Sequence, residues 1–260
     1  MYVELTEIGG TKLAIKEIQG TPTSAVHLVW GHGWGQSSSA LVPLAESLQP
    51  FASSSLIDFP GFGQSPVPPE TWGTVDYADC AAEFITSLTA PKVIWIGHSF
   101  GGRVGLQLAA RHPNLLSGLV LIAAAGLKRH RSFTGTLRFE ARRLAFKTMK
   151  RFTPEGPRLD ALRERFGSRD YRAAGKLRPM LVRVIGEDLT EVAKDVRCPT
   201  LLLYGSRDNE TPPEFGARFH SLIPCSDLSI LQGFDHISIL TDGHHQLTLR
   251  IRRFLESLAR

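Results

Sequence analysis

The sequence predicts an α/β fold built on a mostly parallel β-sheet. Short apolar runs that end near Gly or Pro alternate with segments of helical periodicity along the chain. The runs predicted as strands are 25–30, 54–57, 92–96, 119–123, 200–204 and 228–231. Segment 12–18 alternates polar and apolar residues, so we expect it to form an antiparallel edge with 3–8.

Three segments have apolar residues at three- to four-residue spacing, which predicts helices. They are residues 77–88, residues 104–109 and the amphipathic C-terminal segment 247–258. In parallel sheets of this kind, ligands bind at the carboxyl ends of the strands. The residues that directly follow each predicted strand are therefore the first candidates for a functional site.

Composition favours a folded globular protein. The chain has 260 residues, enough for one large or two small domains, with 42% apolar and 21% charged residues. The formal net charge is +5 and is distributed unevenly. Residues 127–185 contain 17 Lys and Arg against 5 Asp and Glu, a net +12, whereas the other 201 residues carry 13 against 20, a net −7.

The basic segment also interrupts the alternation of strands and helices. No strand is predicted between residues 127 and 185, and apolar stripes at 137–152, 159–166 and 177–185 predict helices instead. We therefore expect residues 1–126 and 186–260 to form one α/β core, and residues 127–185 to form a strongly basic helical cap over the strand ends.

Targeting and redox features favour a cytoplasmic protein. The N-terminus lacks the basic and apolar regions of a signal peptide, and the longest apolar run is about ten residues, half of what a membrane span needs. The three cysteines are far apart and form no C-x-x-C pattern. We expect reduced thiols and no metal site.

A G-x-S-x-G pattern follows the predicted strand 92–96 and precedes a predicted helix. It consists of Gly97, Ser99 and Gly101 with two intervening residues. Such a nucleophile elbow is a sharp strand-to-helix turn that exposes the serine, and small residues on both sides let the chain pass closely. Ser99 is therefore the candidate nucleophile; the alternative is a glycine-rich turn with an unreactive serine.

A nucleophilic serine needs a histidine base and an acid that orients it. In enzymes with this elbow the chain order is serine, then acid, then histidine. Asp208 lies just after strand 200–204, and His236 lies just after strand 228–231. These two residues are the candidate acid and base for Ser99.

Four nearby residues are weaker candidates for the same roles. Glu210 lies in the same loop as the candidate acid, and Asp235 adjoins the candidate base, where sequence neighbours rarely point at each other. His244 and His245 begin the last predicted helix rather than a loop after a strand.

An acyl-transfer site also needs hydrogen-bond donors for an oxyanion. The Phe100 backbone N–H directly follows the candidate nucleophile, and the glycine-rich loop after strand 25–30 offers the Trp34 N–H next to Gly33. Neither of the two phosphate-binding glycine patterns is present in that loop, so nucleotide binding is disfavoured.

With these motifs the chain resembles the α/β-hydrolase fold enzymes over nearly its full length. The matching segments, in order, are 32–35 (HGWG), 58–65 (DFPGFGQS), 97–102 (GHSFGG), 198–208 (CPTLLLYGSRD) and 235–236 (DH). The resemblance implies an eight-stranded, mostly parallel sheet with helices on both faces, a helical cap after strand six and no cofactor. It also implies that Asp58 shapes a turn rather than taking part in catalysis.

The identity of the nucleophile reduces the number of reactions that the resemblance allows. Epoxide hydrolases and haloalkane dehalogenases of this family carry Asp at the elbow, whereas this chain has Ser99. The expected activity is hydrolysis of a small carboxylic ester through an acyl-enzyme. Three alternatives stay open: a carbon–carbon bond hydrolase of ring-cleavage products, whose elbow usually has Asn where this chain has His98; a cofactor-free haloperoxidase or perhydrolase; and a non-enzymatic small-ligand receptor.

The basic cap has several interpretations. In the first, its charged residues form a solvated helix surface. In the second, they attract anionic substrates or make peripheral membrane contact, and in the third they pair with the acidic core. Nucleic-acid binding is not expected, because no nucleic-acid-binding motif is present and the core is acidic. The sequence makes no prediction about oligomeric state.

Overall fold

The computed structural model describes residues 3–21, 25–129, 133–154, 156–166 and 168–258. The chain divides into two compact units. The first, called the sheet unit here, comprises Met1–Leu127 and Glu187–Arg260, and the second, called the helical unit, comprises Lys128–Gly186.

The described part of the sheet unit contains one eight-stranded sheet. The strands are β1 (Val3–Ile8), β2 (Thr11–Ile18), β3 (Val26–Gly31), β4 (Ser53–Asp58), β5 (Lys92–His98), β6 (Gly118–Ile122), β7 (Thr200–Gly205) and β8 (Ser226–Leu231). Their order across the sheet is β1-β2-β4-β3-β5-β6-β7-β8. The β1–β2 and β2–β4 pairs are antiparallel, and all the others are parallel. The predicted mostly parallel α/β fold and its antiparallel edge are confirmed.

The ends of the strands differ from the predicted ends by one or two residues. β3 extends to Gly31, which pairs with Ile57 and Gly97 on its two neighbours, although glycine adds nothing to the apolar pattern. Conversely, β6 stops at Ile122 because Ala123 has a φ of 46°, outside the extended region. Backbone pairing, rather than hydrophobicity alone, sets where each strand ends.

Helices connect the strands and make up the helical unit. They are α1 (Val42–Leu48), α2 (Thr74–Ser87), α3 (Phe100–Arg111), α4 (Phe133–Phe152), α5 (Pro157–Phe166), α6 (Arg169–Ala173), α7 (Arg178–Gly186), α8 (Thr190–Lys194), α9 (Pro213–Leu222), α10 (Ser238–Thr241) and α11 (His244–Leu258). Across the described ranges, each helix is too short or too polar to span a lipid bilayer.

The sheet buries both of its faces. Leu28 and Trp30 of β3 belong to a buried cluster that includes residues of α1 and α11. Because side chains alternate along a strand, intervening residues point to the opposite face. There Trp95 of β5 donates a hydrogen bond from its indole nitrogen to the Gly101 carbonyl of α3, at 3.0 Å. Helices on both faces therefore cover the sheet, as a parallel sheet requires.

In the helical unit, the predicted helices form but the main apolar stripe faces outward. Leu137, Leu144 and Phe152 of α4 are 65%, 66% and 78% exposed. The packed side of α4 carries Phe146 instead, whose ring lies 5.9 Å from that of Tyr171. Periodicity therefore predicted the helix correctly, whereas packing decided which side is buried.

Candidate active site

Ser99 lies at the turn between β5 and α3 in a strained backbone conformation. Its φ is 50° and its ψ is −103°, a region that costs a residue other than glycine about 1–3 kcal/mol. Hydrogen bonds hold the turn: the Ser99 N–H donates to the Ile122 carbonyl at 3.0 Å, and the Ser99 carbonyl accepts from the N–H groups of Gly102 at 3.1 Å and Ala125 at 3.2 Å. The turn therefore fixes the direction in which the Ser99 side chain projects.

The two elbow glycines allow the backbone to approach itself closely. A Cβ atom on Gly97 would overlap the backbone of Gly101, and one on Gly101 would overlap the carbonyl of Gly31. The Gly101 N–H also donates to the His32 carbonyl at 3.0 Å. The start of α3 is thereby held against the loop that follows β3.

Three strand ends bring Ser99, His236 and Asp208 together. The Ser99 hydroxyl lies 2.9 Å from His236 Nε2, and His236 Nδ1 lies 2.7 Å from Asp208 Oδ2. Asp208 follows β7 and is fully buried at its side chain, while His236 follows β8 and is 8% exposed. The structure thus places all three sequence-predicted residues in one hydrogen-bonded series.

The environment of Asp208 determines which nitrogen of His236 carries the proton. Burial raises the pKa of Asp208, but hydrogen bonds from His236 and Thr211 outweigh it, so the net pKa lies below its usual value. The carboxylate is ionised and only accepts, which puts the proton on His236 Nδ1. The lone pair of His236 Nε2 is then directed at the Ser99 hydroxyl.

Trp34 and Phe100 carry the two candidate oxyanion donors. Their rings contact each other at 5.3 Å in an edge-on arrangement. Within the described ranges, no group accepts a hydrogen bond from the backbone N–H of either residue. Both donors are thus available to a ligand, beside a loop in which Gly33 packs closely against Gln36 and His98.

A comparison with known protein families matches most of the chain. The sequence pattern of the alpha/beta hydrolase family matches residues 28–247. The chain belongs to the alpha/beta hydrolase family.

Solved structures of similar fold include three bacterial proteins. A membrane phospholipase A described as a bacterial virulence factor has a TM-score of 0.78 and 22% identity, over 100% of this chain and 87% of its own. A putative lipase from Acinetobacter baumannii AYE has a TM-score of 0.75 and 20% identity, over 99% and 92%. An esterase from Exiguobacterium antarcticum has a TM-score of 0.73 and 20% identity, over 97% and 98%. At these identities the likeness concerns the fold.

Thr211 is a residue of this alpha/beta hydrolase site that the sequence did not indicate. Its N–H donates to Asp208 Oδ1 at 2.8 Å, and its hydroxyl lies 2.9 Å from both Asp208 Oδ2 and the Ala123 carbonyl. It therefore ties the loop after β7 to the end of β6. Asp and Thr are both common in turns, so their closeness in the sequence carried no specific signal for these contacts.

His98 is a second residue whose contacts the sequence did not predict. It is buried, and its Nε2–H donates to the His236 carbonyl at 3.0 Å, while Nδ1 lies 3.3 Å from Gln36 Oε1. Gln36 in turn accepts from the Gly33 N–H at 3.0 Å. Burial, and next the repulsion between its proton and a positive charge on His236, lowers the pKa of His98 to about 3, so this ring is neutral. With its proton on Nε2 the ring is hydrogen-bonded to the turn that holds the candidate base, whereas it only lies beside Gln36 Oε1, which is also an acceptor.

Glu210, His244 and His245, the weaker candidates for acid and base, do not occupy the positions of those roles. Glu210 is 68% exposed, and its carboxylate lies 3.7 Å from His236 Nε2, the nitrogen on the Ser99 side. It therefore does not occupy the position of the orienting acid at Nδ1. His244 and His245 lie at the start of α11, where their rings contact each other at 3.7 Å.

Asp58 has the contacts of a residue that shapes turns. Its Oδ1 accepts from the Ser38 N–H at 2.6 Å and its Oδ2 from the Gln64 N–H at 2.9 Å. It thus fastens two loops next to β4. In the described part of the chain, no group of three or more His, Cys, Asp or Glu side chains is arranged to hold a metal ion.

His32 supports the loop of Trp34 as a buried neutral ring. The Phe59 N–H donates to His32 Nε2 at 3.1 Å, and His32 Nδ1–H donates to the Gly33 carbonyl at 2.8 Å. Burial lowers the pKa of His32 to about 4, against the smaller opposing effects of that carbonyl and of Asp58. Folding therefore favours the unprotonated form of this ring.

We expect stability to depend on pH through this ring. The unfolded histidine has a pKa near 6.5, so between about pH 6.5 and 4 the unfolded chain binds a proton that the folded chain excludes. The stabilisation of the folded chain that depends on the neutral ring is fully present above about pH 6.5 and is lost as the pH falls toward 4. Each such histidine lowers the free energy of unfolding by about 1.4 kcal/mol per pH unit in this window.

Urea unfolding between pH 7 and pH 5 measures this slope. His32→Gln keeps one donor and one acceptor but does not titrate, so its slope should be smaller by about 1.4 kcal/mol per pH unit. His220→Gln, at an exposed histidine on α9, is the matched control and should keep the wild-type slope. Equal slopes for His32→Gln and the wild type would contradict the buried neutral ring.

Proposed function

We propose that this alpha/beta hydrolase is a serine hydrolase that cleaves small carboxylic esters through an acyl-enzyme. The observation that carries the proposal is the series from Ser99 through His236 to Asp208, with links of 2.9 and 2.7 Å. A serine whose hydroxyl faces an unprotonated imidazole nitrogen, with an ionised acid behind the ring, is the arrangement that activates a hydroxyl for acyl transfer.

In the first half-reaction, Ser99 Oγ attacks the ester carbonyl carbon while its proton moves to His236 Nε2. The carbonyl oxygen becomes an oxyanion, which accepts hydrogen bonds from the Trp34 and Phe100 N–H groups. Asp208 stabilises the imidazolium that forms. The bond to the alkoxy oxygen then breaks, and His236 gives its proton to the departing alcohol, which leaves an acyl group on Ser99.

In the second half-reaction, water replaces the alcohol. His236 Nε2 takes a proton from the water as its oxygen attacks the acyl carbon, and the same two N–H groups stabilise the second oxyanion. Collapse of this intermediate releases the carboxylic acid, and the proton on His236 returns to Ser99 Oγ. Ester and water are consumed, alcohol and acid are formed, and the enzyme is restored.

The names of the similar solved structures support the choice of an ester. They are described as a phospholipase A, a putative lipase and an esterase, which are names for ester hydrolases. No observation on this chain favours cleavage of a carbon–carbon bond, formation of a peracid or binding without turnover. These three activities are therefore outcomes of the test rather than second proposals.

We also propose that residues 127–185 act as a cap that helps to choose the substrate. The support is their position in the chain: they depart after β6 and return before β7, and Ser99, Asp208 and His236 lie at the ends of β5, β7 and β8. For the compartment we propose the cytoplasm, where Cys80, Cys198 and Cys225, all free thiols, remain reduced.

The proposal predicts multiple-turnover hydrolysis of nitrophenyl esters by the purified chain. Small acyl groups such as acetyl and butyryl should give higher kcat/KM than palmitoyl, and the released nitrophenol measures the rate. Consumption of a ring-cleavage product, or peroxide-dependent halogenation, without ester turnover would contradict ester hydrolysis. Binding of an ester with release of less than one equivalent of alcohol would instead indicate a receptor.

A further inference from the structure

One side of α4 carries large apolar residues and is nevertheless exposed to solvent. With 3.6 residues per turn, Leu137 and Leu144 are two turns apart and share one side of the helix. Phe146 follows Leu144 by two residues and so lies on the opposite side, where it contacts Tyr171. The side that carries Leu137 and Leu144 is exposed. We call Leu137, Leu144 and Phe152 the outer apolar line of α4.

Basic side chains border this line. Lys147 and Arg151 are exposed on the same helix, three and seven residues after Leu144, and Arg151 directly precedes Phe152. Residues 127–185 as a whole carry a net +12, while the rest of the chain carries −7. Apolar and basic groups therefore occur together on the outer surface of one helix.

The helical unit is also where exposed apolar residues concentrate. Of the ten large apolar side chains exposed in the described ranges, five belong to this unit of 59 residues, including Val182 and Ile185 of α7. Monomeric soluble proteins expose single apolar residues routinely, but a concentration of them indicates an interaction site.

We propose that the helical unit docks on an anionic lipid surface through the outer apolar line of α4. Leucine and phenylalanine side chains gain free energy when they enter the boundary between head groups and acyl chains. Lys147 and Arg151 lie beside this line, where they can approach lipid phosphates, and each basic residue near an anionic surface adds to the attraction. The sheet unit carries a net negative charge, so the electrostatic attraction to this surface comes from the helical unit.

Charge distinguishes this partner from two others. A second copy of the helical unit would bring +12 against +12, which opposes self-association through this surface. A nucleic acid would match the charge but would leave Leu137, Leu144 and Phe152 in water. An anionic lipid surface satisfies both the basic and the apolar groups. The inference does not depend on the proposed ester hydrolysis, because docking needs no catalysis.

The test is co-sedimentation of the full-length chain with lipid vesicles. The Ser99→Ala variant is used so that no lipid is hydrolysed. We expect binding to phosphatidylcholine vesicles that contain about one third phosphatidylglycerol, weaker binding to pure phosphatidylcholine, and a fall in binding as salt rises.

The apolar contribution is tested in the same background. Leu137→Ser with Leu144→Ser should lower the partition coefficient between vesicles and water at least about ten-fold, because two leucines that enter the lipid in the proposed complex are removed. The matched control is Leu5→Ser with Val67→Ser, at two exposed apolar residues of the sheet unit, and should bind as before. Circular dichroism and the unfolding temperature show that each variant is folded.

The electrostatic contribution is tested by charge removal. Lys147→Gln with Arg151→Gln should weaken binding by about five-fold per charge and flatten the salt dependence. The matched control removes two exposed charges of the sheet unit, with Lys12→Gln and Arg253→Gln. It should bind about as well as the parent, because these two charges lie outside the helical unit.

Three results would overturn the proposal. The first is equal binding to anionic and neutral vesicles, or no binding to either. The second is binding that both apolar double variants, or both charge double variants, reduce equally. The third is a dimer, seen by sedimentation velocity without lipid, that Leu137→Ser with Leu144→Ser dissociates; a second copy would then cover the outer apolar line. Ester hydrolysis is measured separately on the wild type, so the two proposals fail independently.

Discussion

We expect Ser99→Ala to lower kcat/KM for ester hydrolysis at least about 10⁴-fold, because it removes the atom that is proposed to form the acyl-enzyme. The strained turn itself is kept, since its hydrogen bonds to Ile122, Gly102 and Ala125 involve only the backbone of residue 99. The binding of a non-hydrolysable substrate analogue should therefore change little. Stopped assays with high enzyme concentration measure the residual rate, and the analogue's dissociation constant measures the binding.

Ser206→Ala is the matched control for this loss. Ser206 follows β7 at the same edge of the sheet, and its hydroxyl accepts a hydrogen bond from the Gly233 N–H at 2.9 Å. It should retain nearly full activity. If Ser99→Ala kept more than about a tenth of wild-type kcat/KM, the assigned role of Ser99 would be wrong, since nucleophile loss costs far more than that.

Asp208→Asn should lower kcat about 10⁴-fold. An amide in place of the carboxylate presents a donor as well as an acceptor, so it favours the His236 tautomer with the proton on Nε2, which cannot accept from Ser99. It also removes the charge that stabilises the imidazolium. The four hydrogen bonds that converge on Asp208, from Glu210, Thr211 and His236, fix its position strongly enough that the variant should remain folded.

Glu210→Gln is the matched control, because it makes the same change two residues away. Its carboxylate is exposed and lies near His236 Nε2, so kcat should change by less than about five-fold, within the range of an exposed, screened charge. Parallel kcat and KM measurements on both variants decide the assignment. A larger loss in Glu210→Gln than in Asp208→Asn would identify Glu210 as the acid instead.

Most of the fold and of the candidate site could be predicted from local patterns. A buried parallel strand is an uninterrupted apolar run, so β3, β5, β6 and β7 could be predicted from the sequence. The turn after β5 likewise carries the glycines that the geometry of a nucleophile elbow needs. Ser99, Asp208 and His236 each follow a strand, and parallel strands bring their ends to one edge. The catalytic roles of these residues stay predictions.

Other features could not be predicted from the sequence, because they depend on contacts between distant segments. Thr211 and His98 look ordinary in the sequence, and only the approach of β6 to the loop after β7, and of β5 to the turn after β8, gives them partners. The strand end at Ile122 likewise depends on the positive φ of Ala123, which no residue preference indicates.

Local sequence patterns were enough to predict the α/β class, the order of strands and helices, the basic segment 127–185 and the three residues proposed to act in catalysis. These follow from periodicity, glycine positions and charge, which are properties of neighbouring residues. The pairing of the strands, the hydrogen bonds that set the tautomer of His236 and the covered side of α4 depend instead on the folded chain. Helical periodicity shows that two faces exist, but burial depends on what packs against each face, and for α4 the more regular apolar line is the one left exposed.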